Sequence, residues 1–199
     1  MTTITTPTAP PPSRKWPPEQ SEWTYEDWLR LPDDNFRYEV LNGELFMAPP
    51  PAIQHQTTSG ALFAMMWLYA KQNDLGTVLE APVGVKLPNQ AVPVQPDIVF
   101  IRKERQAILG KENVEGAPDL IVEILSPSNW TFDRKQKFQA YREAGVNEYW
   151  IVDYRKKTVE VFLLESGSYT LLGQYGVGES VTSTSFTNFT IKVDDLFSS

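Results

Sequence analysis

The chain has 199 residues, 41% apolar and 12% aromatic, enough for one domain with a substantial core and too few for two comfortable ones. Eighteen basic against twenty-five acidic residues give a net charge of −7 and a pI near 4.8, so long-range attraction to nucleic acid or anionic membrane is disfavoured, while a local basic cleft stays open. Cysteine is absent, which excludes disulfides, thiolate nucleophiles and cysteine-bound zinc or iron–sulfur centres, and makes a reducing cytoplasm the natural location.

Residues 1–20 are rich in Thr and Pro and have no apolar h-region; a disordered leader is expected there, followed by a single domain over 21–199. Thr24 and Asp27 have capping-box spacing for a short helix that stops near Leu31 and Pro32. Phe36 to Val40 and Glu44 to Ala48 flank Asn42-Gly43, a strong hairpin signal, and Pro49 to Pro51 end the pair. A helix is expected from about Ala52 to Asn73. Its apolar centre is far shorter than the roughly 20 residues a bilayer span needs, so it reads as a core helix and no membrane partner is expected.

Strands follow at Thr77 to Leu87, Val94 to Ile101 and Asp119 to Ser126, the last two joined by a charged, mobile connection. Thr131 can cap a helix running to Ala144 and closed by Gly145. Glu148 to Asp153 reads as a further strand, Val159 to Leu164 and Tyr169 to Gln174 as a meander turning at Ser166-Gly167, and Val193 to Phe197 as a short helix. The order specifies an α/β domain: a mixed sheet flanked by helices, with a hairpin added at each end.

Several chemistries are excluded. His55 is the single histidine, so no multi-histidine metal site exists, and there is no G-x-S-x-G elbow, Walker loop or dinucleotide fingerprint. What remains is acid inside apolar strands: Asp97 interrupts VQPDIVFI and Glu123 interrupts LIVEILS. A buried carboxylate must be paired, and two on neighbouring strands repel unless a cation lies between them; a divalent metal or a nearby lysine would each suffice. Period-two geometry puts Glu123 on one face with Asp119, Ile121 and Leu125, so any catalytic cation must come from another element. The next helix offers Asp133, Lys137 and Tyr141 at i, i+4, i+8. Lys137 can either reach Glu123 or form a surface pair with Asp133.

RYEVLNGEL, PP-x3-H, VQPDIVFI, GAPDLIVEILSPS and DRKQK-x3-Y-x3-GVNEYWIVD occur in that order, and over roughly Tyr25 to Leu172 the chain resembles the Uma-two family of restriction-endonuclease-like proteins. The resemblance implies a PD-(D/E)XK nuclease fold and magnesium-dependent cleavage of phosphodiesters, with manganese a substitute and DNA the default substrate. It implies Asp97 and Glu123 as metal ligands, with the Ile124 carbonyl beside them, and Lys137 as the catalytic cation. Leu125 stands where the standard motif has its lysine, so the cation is displaced to the helix, with Lys135 as the fallback. Glu39, His55 and Gln95 fall at further family-like positions near metal or substrate. A catalytically silent binding module on the same fold is the alternative, and a structural domain pairing as a homodimer through Trp16, Trp23 and Trp28 is a third possibility.

Overall fold

The computed structural model describes residues 15–88, 90–126 and 132–197. In chain order the elements are α1 (Tyr25–Trp28), β1 (Arg37–Leu41), β2 (Glu44–Ala48), α2 (Ile53–Gln72), β3 (Gly76–Glu80), β4 (Gly84–Val85), β5 (Ile98–Arg102), β6 (Asn113–Val114) and β7 (Leu120–Ile124). They continue with α3 (Phe138–Ala144), β8 (Glu148–Asp153), β9 (Thr158–Glu165), β10 (Ser168–Tyr175), β11 (Ser180–Thr182), β12 (Thr190–Lys192) and α4 (Val193–Phe197). The capping box at α1 forms in both directions between Thr24 and Asp27.

The centre is a six-stranded sheet in the order β10-β9-β8-β7-β5-β3, in which β7 and β8 run parallel and every other pair antiparallel. Both faces of the central strands are buried, as parallel pairing between helices requires. Leu120, Val122 and Ile124 face one core, where they meet Leu62, Met66 and Ala70 from a single stripe of α2. Ile121 and Leu125 face the other, against Ala140 and Tyr141 of α3. Glu123 interrupts that second face and is fully buried.

Three expectations need correction. The strand expected over 77–87 is broken: β3 stops at Glu80 and β4 begins at Gly84, with Pro82, which has no N–H to give a ladder, in between. β4 then pairs in parallel with β6, an association with no period-two signature. At Gly84 a Cβ would meet Asn113 Oδ1, so a larger residue there would have to displace that side chain. The charged connection before β7 is folded; Arg105 donates to Asp119 at 2.9 Å and to the Ala117 carbonyl at 2.8 Å. The helix before Gly145 is not α-helical throughout, since Phe132–Lys137 is π-wound. Thr131 and the side chain of Asp133 lie outside the described residues, as do positions 1–14 of the expected leader.

Glu148, fully buried at the start of β8, shows what a purely structural strand acid looks like. It accepts from Trp150 Nε1 at 2.6 Å, from the Ser183 and Thr184 hydroxyls, and from the backbone of Thr184 and Ser185. It ties the segment after β11 to the sheet with no charged partner among these bonds.

Candidate active site

Asp97 immediately precedes β5, and Ile98 lies opposite Val122 in the antiparallel ladder. One further step along that register sets Asp97 against Glu123. Two hydrogen bonds fix the residue: its carbonyl accepts from Ala81 N–H at 2.9 Å, and its Oδ2 accepts from Ile124 N–H at 2.8 Å. In an extended strand a residue's N–H and C=O point to the same side, so the Ile124 carbonyl shares the side facing Asp97.

The first hairpin closes over this strand end. Arg37 and Glu39, two apart on β1, share a face. Arg37 Nη1 is 3.3 Å from Asp97 Oδ1, and its Nη2 is 3.6 Å from Glu39 Oε2. Glu39 Oε2 is also 3.1 Å from Lys137 Nζ, while its Oε1 accepts from the Gln95 N–H at 3.0 Å. Gln95 thus enters the site through its backbone. His55, in the first turn of α2, brings Nε2 to 3.4 Å from Asp97 Oδ2.

Lys137 Nζ donates to Glu123 Oε1 at 2.9 Å, and the Tyr141 hydroxyl donates to the same oxygen at 2.6 Å. Lys137 is completely buried and Lys135 exposed, so the site holds the former and not the latter. An unbroken chain of polar interactions therefore runs His55–Asp97–Arg37–Glu39–Lys137–Glu123–Tyr141. Sequence reasoning misses Arg37 and gives Tyr141 no role, although Arg37 stands two before Glu39 on a strand and Tyr141 four after Lys137 on a helix.

Burial opposes ionisation of Asp97, but the His55 hydrogen bond and the charges of Arg37, His55 and Lys137 outweigh it and hold its carboxyl down at about 2. Tyr141 moves the other way. Burial first, then the negative charge of Glu123, pushes its hydroxyl well above the usual tyrosine range, so it stays a donor. Three buried carboxylates, Asp97, Glu39 and Glu123, thus meet the cations Arg37 and Lys137.

The donor set suits a hard divalent cation: carboxylate oxygens from two adjacent strands, with a backbone carbonyl on the same side. Among the described residues no three acidic or histidine side chains form a ready coordination shell; Arg37 and Lys137 hold the carboxylates instead.

The model of the Uma2 (Uma-two) family, described as "Putative restriction endonuclease", matches residues 25–194. The chain belongs to this family. Its fold is that of a solved "putative nuclease belonging to DUF820" from Anabaena variabilis, with a TM-score of 0.71 at 18% identity over 88% of this chain and 97% of that one. The type IIG restriction endonuclease BpuSI is a more distant neighbour, with a TM-score of 0.40 at 13% identity over 72% of this chain and 15% of that one. No curated protein matches. This Uma2 chain has the restriction-endonuclease-like core, and among its described residues no helix is long and apolar enough to cross a membrane.

Proposed function

We propose that this Uma2 chain hydrolyses phosphodiester bonds in nucleic acid, DNA first, with Mg2+ or Mn2+ held by Asp97, Glu123 and the Ile124 carbonyl. The observation that carries this is that two buried carboxylates, Asp97 and Glu123, meet at one strand end, with buried Lys137 donating to Glu123 on a strand face that is otherwise apolar. When bound, the divalent cation supplies charge that polarises the phosphate and acidifies water. Asp97 is ready as a ligand because its neighbours keep it ionised. Ile124 N–H and His55 fix its orientation. Lys137 is the positive donor for charge that develops on the phosphate, and Glu39 and Tyr141 hold it and Glu123 in place. Gln95 N–H in turn fixes Glu39.

A second reading, a catalytically silent binding module, is favoured by one observation: the carboxylates already have cationic partners in Arg37 and Lys137. Metal linkage separates the two. Manganese should raise the unfolding temperature of the wild-type chain by mass action, and Asp97→Asn should abolish the rise. Equal responses in both proteins would favour the silent module.

A further inference from the structure

We infer that the turn at Arg155, Lys156 and Lys157 is the surface on which this chain docks the sugar–phosphate backbone of its nucleic-acid substrate. This rests on the nuclease reading above and names the part of the molecule that overcomes its negative charge.

The first ground is position. β7 and β8 run parallel, with Glu123 opposite Ile151 and Ile124 opposite Val152. The chain therefore leaves β8 at the same end of the sheet that holds Glu123. At about 3.3 Å per residue, Asp153 lies only about 7 Å along the strand beyond the level of Glu123. Tyr154 closes the gap from the other side. Its ring meets that of His55 edge-on, with centroids 6.4 Å apart, and His55 Nε2 reaches Asp97. The next three residues are all cationic and all exposed.

The second ground is rigidity. Asp153 is buried, and its Oδ1 accepts from the N–H groups of both Arg155 and Lys156, at 3.0 and 3.1 Å. Lys157 adopts φ of 55°, the left-handed conformation that completes the reversal into β9. Tyr154 anchors the turn in the core below. Three charges are thus presented from a braced turn, so little ordering cost is added when they meet a ligand.

The third ground is that their charge is largely unspent. Several exposed cations elsewhere are matched to acids, Lys86 to Glu115 at 2.8 Å, Lys103 to Asp74, and Arg105 to Asp119 at 2.9 Å, and Arg30 and Lys71 lie over tryptophan rings. At this turn the only ion pair among the described residues is Lys156 with Asp153, at 3.9 Å, and the lysine side chain is still 62% exposed. Arg155 and Lys157 have no acidic partner among the described residues. In a chain of net charge −7, three adjacent cations beside a nest of carboxylates favour a polyanion that must be brought against those carboxylates. A nucleic-acid backbone is such a ligand, repeating its charge every few ångströms and able to touch the turn and the site at once.

The test measures binding of labelled duplex DNA, single-stranded DNA and RNA to the full chain in EDTA by fluorescence anisotropy, across a series of salt concentrations. It compares wild type with Arg155→Gln/Lys156→Gln/Lys157→Gln and also measures binding to phosphatidylserine vesicles. The variant is expected to bind nucleic acid at least about tenfold more weakly. For duplex DNA its log–log salt dependence should be shallower by about two to three, near 0.9 for each phosphate that is no longer neutralised. Its unfolding temperature and its response to manganese should match wild type. Equal affinity and equal slope would overturn this inference and leave the nuclease reading standing. Wild type that binds vesicles but no nucleic acid would overturn both.

Discussion

Lys137 Nζ lies 2.9 Å from Glu123 Oε1, and neither side chain is more than 1% exposed. An ion pair this deep is held less by its net favourable energy than by the cost of leaving either charge alone. Lys137→Ala should therefore destabilise the fold by about 3–5 kcal/mol, since Glu123 and Glu39 would both lose Lys137, and Glu39 would keep Arg37 at 3.6 Å. Adding Glu123→Gln should recover part of that loss by removing one stranded charge. Urea unfolding of the two single variants and the double variant measures the coupling directly; additive losses would show that the pair is not coupled.

Tyr141→Phe removes one oxygen and nothing else. The missing bond to a carboxylate should cost about 1.5–3 kcal/mol while the aromatic packing against Tyr149 persists. The same unfolding assay checks it. A change below about 0.5 kcal/mol would mean that the 2.6 Å hydrogen bond contributes no net stability.

Arg37 competes with any cation for Asp97 and Glu39. Arg37→Gln should therefore bind manganese more tightly in the absence of nucleic acid, by roughly tenfold for each 1.4 kcal/mol of competition relieved. Electron paramagnetic resonance of free manganese provides the readout. Weaker binding in the variant would mean that Arg37 helps to build the metal site instead of opposing it.

In metal-free buffer, the acid limb of stability should carry the mark of Asp97. Its carboxyl is held at about 2, below its unfolded value near 3.9, so folding favours the ionised form. That contribution is complete above about pH 4 and is lost as pH falls toward 2, on the order of 2 kcal/mol in all. Asp97→Asn should therefore show a flatter stability profile between pH 4 and pH 2, by chemical denaturation at each pH. Parallel profiles would contradict the ionic environment described for Asp97.

Much of the fold is legible from residues alone. Asn42-Gly43 marks the first hairpin, Gly145 the end of α3 at φ of 83°, and Glu148–Asp153 the whole of β8. The apolar runs interrupted by Asp97 and Glu123 point to one place, and the register brings both there. What escapes is non-local or depends on winding. Pairing of β4 with β6 joins two dipeptides 29 residues apart, too short to show a period. The π-wound turn from Phe132 to Lys137 has no signal in helical spacing, although Lys137 and Tyr141 still reach the same oxygen beyond it. Arg37 stands in plain sight beside Glu39, but only the closure of the hairpin over β5 shows that it answers Asp97.

Metal-dependent phosphodiester cleavage at Asp97, Glu123 and Lys137 is the central claim, and single-turnover cleavage tests it most directly. Purified full chain in excess over end-labelled duplex and single-stranded DNA should cut at least one of them when manganese or magnesium is added, and neither in EDTA. Asp97→Asn and Glu123→Gln should lose nearly all of that rate while remaining folded. Cleavage at wild-type rates by folded Asp97→Asn or Glu123→Gln, or no cleavage by wild type of either substrate with either metal, would contradict the account.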